Sequence, residues 1–333
     1  MNQRKGGDFD NRIVVLTGGN GFLGGRVAQQ LLARGARLRV VSRRTDRAYR
    51  ISPMAAIGQL QTVRADVTST RQLDALYAGA HAAVNLVGAF RGDLDGLQGQ
   101  GAGRMAAAAR EAGASAFVHV SAIGADPSSA SGYARTKGEG ELAVSHAFPN
   151  ATIVRPSVLF GDEDRFINMF AGLISRLPVL PVFGPSARLQ PLDVDDAAEA
   201  IATAANQPGV HGGRTYEIAG PEVLTMLELN RRIAAAQGRK RVFVEVPDWA
   251  SAAFATATGW LPGAPLSPDQ WALLKAGSVA SGALPGIEQL GVAPRPLSLF
   301  LDRWMVRYRR AGRFAERTRG VATAHTGGPS VKA

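Results

Sequence analysis

Short apolar runs alternate with longer amphipathic stretches over the first half of the chain. Such alternation predicts parallel strands covered by helices, because a strand buried on both faces reads as a continuous apolar run. Arg12-Ile-Val-Val-Leu-Thr17 is the first such strand, and the helix after it runs from about Phe22 to Arg34 and stops at Gly35. Leu38–Ser42 and Leu60–Asp66 read as the second and third strands, followed by a helix from about Thr70 to Ala78. Ala82–Val87 predicts a fourth strand, Gly103–Ala112 a helix and Phe117–Ser121 a fifth strand. Tyr133–Ala147 then reads as a helix and Thr152–Arg155 as a sixth strand. The expected class is α/β, a doubly wound parallel-sheet Rossmann fold.

After Phe160 the rhythm changes, and Pro178, Pro181, Gly184 and Pro185 crowd together. A helix over Asp195–Ala205 is expected, capped by Asp193 or Asp195, with Asp196 as a first-turn acid. A strand at Thr215–Ala219, a helix at about Thr225–Gln237 and a strand at Arg241–Val246 follow, then helices near Trp249–Gly259 and Pro268–Gly277. The pattern divides the chain into a Rossmann core over 11–160, completed by 189–219, and a smaller C-terminal substrate or lid region over 161–188 and 220–305. Residues 306–333 form a basic tail, expected to be disordered from Gly320.

Composition narrows the chemistry. With 46% hydrophobic and 20% charged residues, the 333-residue chain can bury a sizeable core. No apolar run reaches the length of a membrane-spanning helix, and polar Met1–Arg12 predicts no secretory signal. The absence of cysteine excludes disulfides, thiolate metal sites and cysteine nucleophiles. With five scattered histidines no metal site is expected, and His119, inside an apolar strand, reads as a packed core histidine. The net charge of +11 is uneven: residues 1–50 carry +8, residues 301–333 carry +6, and the stretch between them carries −3. Basic ends suit phosphate, acidic lipid or an acidic partner. No nucleic-acid motif accompanies the charge, so no nucleic-acid partner is expected.

Thr17-Gly18-Gly19-Asn20-Gly21-Phe22-Leu23-Gly24 is the sharpest motif. Gly18, Gly21 and Gly24 fall between the first strand and its helix, where bare backbone can approach a pyrophosphate and the helix start offers free amides. A nicotinamide dinucleotide is the expected ligand. An acid about twenty positions on usually holds the ribose 2′-hydroxyl of NAD. Here the second strand ends in Ser42-Arg43-Arg44, with no acid until Asp46. Guanidinium groups favour a 2′-phosphate, so NADP(H) is expected ahead of NAD(H). Asp66 and Val67 at the end of the third strand are expected beside the adenine, and Leu86, Val87 and Gly88 beside the ribose. Pro156, at the end of the sixth strand, completes the cofactor set.

Tyr133-Ala-Arg-Thr-Lys137 places Tyr133 and Lys137 on one helix face, and Ser121 ends the fifth strand twelve residues before Tyr133. Ser121 would hydrogen-bond a substrate oxygen and Tyr133 would give or take its proton. Lys137 would lower the tyrosine pKa and bind the nicotinamide ribose.

These motifs resemble extended short-chain dehydrogenases over about residues 12–220. A narrower likeness lies in His119-Val-Ser121, in Tyr133 to Glu139 and in Ala147 to Asn168, whose core is Phe160-Gly-Asp-Glu-Asp-Arg-Phe-Ile-Asn168. Gln190-Pro-Leu-Asp-Val-Asp-Asp196 and Gly220-Pro-Glu-Val-Leu-Thr225 continue it. They are similar to the atypical dehydrogenase family of the complex I accessory subunit, alpha-subcomplex subunit nine, and its bacterial relatives. The resemblance implies bound NADPH, a structural or assembly role beside respiratory complex I, and a link to quinone metabolism. It also implies a place in the bacterial cytoplasm or on the cytoplasmic face of the membrane. The intact Ser121–Tyr133–Lys137 set keeps open a freestanding NADP(H)-dependent oxidoreductase or a sugar-nucleotide epimerase or dehydratase. A redox sensor is a third reading.

Near the C-terminus, Phe300, Trp304 and Tyr308 recur every four residues, with Arg303, Arg307 and Arg310 on a neighbouring face. The spacing predicts an amphipathic basic helix over Phe300–Phe314 that could lie on anionic lipid or an acidic partner.

Overall fold

The structure is a computed structural model that describes residues 8–69, 72–261, 266–310 and 312. The readings made for Met1–Gly7, for Thr70 and for the tail from Arg313 onward lie outside these residues.

The first half forms β1 (Ile13–Thr17), α1 (Phe22–Ala33), β2 (Arg37–Ser42), β3 (Leu60–Arg64), α2 (Leu73–Tyr77) and β4 (Ala82–Asn85). It continues with α3 (Leu94–Gln98), α4 (Gln100–Glu111), β5 (Ala116–Val120), α5 (Gly132–Ala147) and β6 (Thr152–Pro156). Gly35, at φ +83°, turns the chain out of α1 in a conformation only glycine adopts freely. Then come β7 (Leu159–Phe160), α6 (Phe166–Arg176), β8 (Val179–Phe183), β9 (Arg188–Leu189), β10 (Leu192–Asp193) and α7 (Val194–Asn206). The chain goes on through α8 (Pro208–His211), β11 (Thr215–Ile218), β12 (Leu224–Thr225), α9 (Met226–Ala236) and β13 (Val242–Val246). The last described helices are α10 (Asp248–Thr258), α11 (Pro268–Ala276) and α12 (Ser298–Met305).

The central sheet has seven strands in the order β11-β6-β5-β4-β1-β2-β3. Every pairing in it is parallel. The strand order reverses between β1 and β4, and there the carboxyl ends open a crevice for a ligand. Period-two alternation sends Val14, Leu16, Val84 and Val118 to one face, against Val27 and Leu31 of α1 and Ala197 and Ile201 of α7. Val15, Ala83 and Phe117 face the other way, against Tyr77 and against Met105 and Ala109 of α4.

Small ribbons and helices form a second core. Ile167 and Ile174 of α6, Leu180 and Val182 of β8, Leu229 and Ile233 of α9 and Leu301 of α12 meet there. Among the described residues, no helix is long and apolar enough to cross a membrane.

The expected caps form. Asp193 caps α7 through the amides of Asp195 and Asp196. A guanidinium not foreseen from sequence, Arg295, also binds Asp193 at 2.9 Å and Asp196 at 2.7 Å.

The C-terminal expectation is corrected. α12 ends at Met305, a 3-10 turn covers Val306–Tyr308, and Arg309 is extended. The aromatic stripe is spent inside the molecule: Phe300 and Trp304 pack on Phe160 with ring centroids 5.8 and 5.7 Å away. Tyr308 donates from its hydroxyl to Asn168 Oδ1 at 3.0 Å, and Arg307 reaches the same atom at 2.6 Å. The second core lacked a cover on this side, and burying two large rings there outweighs leaving them for an outside surface.

Arg155 on β6 links two buried carboxylates. It binds Glu141 of α5 through Nε and Nη2, at 2.8 and 2.6 Å, and its Nη1 lies 3.8 Å from Glu217 of β11. Removing one member strands buried charge, which costs about 3–5 kcal/mol. Arg155→Met is therefore expected to lower unfolding stability by about that amount. Urea denaturation at neutral pH checks it, and a loss under about 1 kcal/mol would mean that the pair is worth no more than a surface one.

Candidate functional site

The glycine loop coils over the carboxyl end of β1. Gly18, at φ +80°, donates its amide to Val41 O at 3.0 Å, and a Cβ there would stand 3.2 Å from the Leu86 carbonyl. A Cβ on Gly24 would come within 2.6 Å of the Gly19 backbone. The loop therefore has no room for side chains on these two residues. Phe22 opens α1 and Leu23 packs on the first core. No side chain caps α1, so its first-turn amides keep their hydrogen-bonding capacity for an anion. Thr17 acts through its backbone: its carbonyl accepts from Leu86 N at 2.9 Å, while its hydroxyl pairs with buried Tyr77 at 3.1 Å.

The ends of β2, β3 and β4 surround this loop. Ser42 Oγ accepts from the Arg44 amide at 3.2 Å, and Asn20 donates to the Arg44 carbonyl at 2.5 Å. Arg43 and Arg44 are both exposed. Asp66 accepts from the amide and hydroxyl of Thr68 at 3.0 and 2.8 Å. Those bonds hold its carboxyl below the usual range, with a smaller contribution from Arg43. Val67 is buried behind it. Leu86 and Val87 are half-buried and Gly88 is exposed, so this wall of the crevice is largely backbone. Asn85 Oδ1 fixes the wall by accepting from Val87 N at 3.0 Å.

Lys137 meets that wall at Val87, Tyr133 stacks on Phe90 just beyond it, and Ser121 directly follows Val120, the strand end that Lys137 binds. Ser121 is buried, and its hydroxyl has no partner among the described residues. Lys137 is 2% exposed and donates to two main-chain carbonyls, Val87 O at 3.1 Å and Val120 O at 2.9 Å. Burial pushes its ammonium down from 10.5 to about 8, with Glu141 opposing. Tyr133 keeps some surface, but its phenol is enclosed, and burial pushes it up to about 12. Its ring stacks on Phe90 with centroids 4.4 Å apart. The expectation that Lys137 lowers the phenol is not met, because the ammonium is drawn onto the two carbonyls and burial alone sets the tyrosine. Pro156 is buried at the end of β6, and its carbonyl accepts from Ile123 N at 3.0 Å.

His119 is the packed histidine expected. It is fully buried, its Nδ1 lies 3.1 Å from Asn85 Nδ2, and burial followed by the Lys137 charge holds it well below its ordinary value.

Several supporting residues carry no short-range signal. Gln98 bridges the crevice wall to α5, accepting from Ala89 N at 3.0 Å and donating to Thr136 Oγ1 at 2.9 Å. Asp269, at the start of α11, accepts from the amides of Gly132 and Tyr133 at 2.7 and 3.4 Å. A carboxylate there satisfies the open amides that begin the tyrosine's own helix. Phe90 lies five residues past β4 with nothing in its neighbourhood to announce the stack.

A loop that excludes Cβ atoms, an uncapped helix start and a backbone wall fit a nicotinamide dinucleotide. Fold and site together define an NAD(P)-binding protein of short-chain dehydrogenase/reductase type. A family model described as NAD(P)H-binding matches residues 18–169. The chain is 30% identical over 305 residues to the Rattus norvegicus NADH dehydrogenase (ubiquinone) 1 alpha subcomplex subunit 9, mitochondrial, covering 89% of this chain and 80% of that one. It is 32% identical over 239 residues to the ceramide reductase of Caulobacter vibrioides, covering 71% and 74%. The match to the subunit 9 protein of Dictyostelium discoideum, 30% identical and 64% of this chain, spans 60% of that relative's length. The solved NADPH-dependent quinone oxidoreductase of Escherichia coli superposes with a TM-score of 0.70 at 19% identity, over 87% of this chain and 99% of that one, a likeness of fold. The chain belongs to the atypical short-chain dehydrogenase/reductase family that contains the subunit 9 proteins and ceramide reductase.

The buried ammonium gives a pH signature. The folded pKa of Lys137 lies below its unfolded value, so between about 8 and 10.5 the unfolded chain binds more protons. Stability contributed by this group therefore rises as pH rises through that window. Lys137→Met should be the more stable protein at pH 7, by an amount that shrinks toward pH 10. Denaturation midpoints of the two proteins at pH 7, 8.5 and 10 test this, and a constant gap would refute the depressed value.

Proposed function

We propose that this protein is an NADP(H)-dependent oxidoreductase that reduces a carbonyl held between Ser121 and Tyr133. The observation that carries this reading is the buried, unpartnered Ser121 hydroxyl, next to the Val120 carbonyl that Lys137 holds. A buried hydroxyl without a partner is costly, and a substrate oxygen would satisfy it. The bound dinucleotide supplies the hydride. Ser121 donates to the carbonyl oxygen and orients it. Tyr133, protonated at neutral pH, delivers its phenolic proton to that oxygen as negative charge develops there. Lys137 holds α5, and with it Tyr133, against the ends of β4 and β5. Phe90 covers one face of the Tyr133 ring and keeps water from it. The Caulobacter vibrioides relative, a ceramide reductase, supports a carbonyl on a lipid-like substrate.

A second reading is a cofactor-holding or assembly partner of respiratory complex I. The match over 80% of the rat subunit favours it. Such a protein would be recovered with a large membrane complex, whereas the reductase would not need one.

Arg43 and Arg44 support NADP(H) over NAD(H). Neither guanidinium has a hydrogen bond or ion pair among the described residues, and no acid at the end of β2 would repel a 2′-phosphate. Charge-assisted bonds to phosphate are worth about 1.5–3 kcal/mol each. Replacing both with Ala should weaken NADP(H) by about tenfold or more and leave NAD(H) little changed in titration calorimetry. Equal losses for both cofactors would overturn the preference.

Tyr133→Phe should keep dinucleotide binding while turnover of an identified carbonyl falls by about 10²–10⁴-fold. The assay is NADPH absorbance with a panel of lipid and quinoid carbonyls. Full turnover in the variant would remove Tyr133 as the proton donor.

A further inference from the structure

The ribbon of β8 and β13 has one packed face and one bare face. Leu180 and Val182 enter the second core, and Phe243 lies against it. The alternate positions share the other face by register, with Val242 beside Val179 and Val244 beside Pro181. All four are exposed, Val242 by 60% and Val179 and Val244 by 49% each. The face continues into α10, because Phe183, beside Val246 at its far end, stacks on Phe254 at 5.0 Å. The outer side of α10 presents Trp249, Ala253 and Ala257 at spacing four, with Trp260 following, and all four are exposed. Trp249 and Trp260 are 76% and 77% exposed, and no charged residue lies between them. Single exposed apolar residues are ordinary, but a contiguous apolar surface marks an interaction site.

The other end of the ribbon is basic. Arg176 precedes Leu177 and Pro178 into β8, and Arg239-Lys240-Arg241 leads into β13. A depression of about 540 Å³ between α9 and the start of β13 is lined by Arg231, Arg239, Lys240 and Arg241 and by no acid. There Arg239 and Arg241 donate to the Tyr308 and Ile174 carbonyls at 3.1 and 2.8 Å, which leaves Lys240 and the neighbouring Arg176 exposed. Asp248 is paired with Lys275 at 3.2 Å, and Glu245 falls on the opposite face of β13 from the valines. Residues 220–310 carry a net charge of +4.

We propose that this surface docks on an anionic phospholipid bilayer. The bare valines and the two tryptophans enter the interfacial layer, and the exposed Arg176 and Lys240 meet lipid phosphates, while Arg241 stays on the Ile174 carbonyl at 2.8 Å. Amphipathic rings are at home at the headgroup level, and an anionic leaflet supplies negative charge all along the basic end. A second copy meeting the same surface would bring a second basic end to the interface instead of the negative charge the first one needs. Docking goes beyond the reductase reading and stands whether or not the chain turns over a substrate.

The test is flotation of the full chain with vesicles of phosphatidylcholine alone and with phosphatidylglycerol added, at low and high salt. Two double variants accompany it, Val242→Ser with Val244→Ser and Arg176→Glu with Lys240→Glu. None of these four side chains belongs to the dinucleotide crevice, so NADPH binding and unfolding midpoint serve as controls for folding. The expected result is recovery with the anionic vesicles that falls at high salt and drops by about tenfold or more in each double variant. No flotation of the wild-type chain would overturn the proposal. Equal flotation of wild type and variants would also overturn it, and would move the attachment to another part of the chain. A wild-type dimer in sedimentation that the valine variant breaks, without lipid binding, would replace the bilayer with a second copy.

Discussion

The ammonium of Lys137 is the interaction on which the site depends. It ties α5 to the ends of two strands at once, through Val87 O beyond β4 and Val120 O at the end of β5. A buried cation is costly unless fully bonded, so the position of α5 is set to within the tolerance of two hydrogen bonds. Everything on α5 inherits that setting, including Tyr133 one turn earlier and Glu141 one turn later. The helix can come this close because glycine stands at its tightest contacts, Gly138 on α5 itself and Gly103 on α4. A Cβ on Gly138 would meet the Pro127 backbone at 2.4 Å, and one on Gly103 would meet Ala143 at 2.8 Å. Close packing by glycine and anchoring by lysine are two halves of one constraint.

The strands and helices of the first half were readable in the sequence because each obeys a local rule. Apolar runs gave the strands, glycine marked the loop and the end of α1, and Asp193 announced α7. That Ser121 follows the fifth strand and that Tyr133 and Lys137 share one helix were readable for the same reason. What was not readable is the set of partners that lie far away in the chain. Gln98 reaches Thr136 across 38 positions, Arg295 reaches Asp196 across 99 and Asp269 reaches Gly132 across 137. No spacing encodes such pairs, since they depend on which helix ends the folded chain brings together. The state of Tyr133 was misread for the same reason: the sequence shows a lysine four residues on, but not the two carbonyls that occupy it.

The motif Phe160–Asn168 shows how a specific sequence pattern can carry structure without chemistry. Asp162 pairs with Arg26 of α1 at 2.8 Å, and Glu163 pairs with Arg50 at 2.7 Å. Asp164, just before α6, accepts from Ile167 N in its first turn at 2.6 Å, and Asn168 receives Arg307 and Tyr308. A Cβ on Gly161 would stand 2.8 Å from the Phe22 ring, at the first residue of the cofactor helix. The motif is a bracket between the dinucleotide loop and the second core. Its acids are spoken for, which is why a cluster of three carboxylates here does not mark an acid–base or metal site.

The same distinction decides what the basic composition means. Counting charge along the chain treats every arginine alike, but the fold sorts them. Arg39 donates to the carbonyls of Leu76 and Ala78, Arg155 and Arg295 neutralise buried acids, and Arg309 holds the Ala236 carbonyl. These are spent, and removing them would disturb packing before it disturbed any ligand. Arg43 and Arg44, exposed beside the glycine loop and without an ion pair among the described residues, are unspent. An unspent cation costs little to leave in water and gains most from an incoming phosphate. The aromatic residues sort in the same way: Phe300 and Trp304 close the second core, while Trp249 and Trp260 remain outside it. The C-terminal stripe drew attention in the sequence because it was periodic. Periodicity shows that residues share a face, and only the fold shows whether that face is already covered.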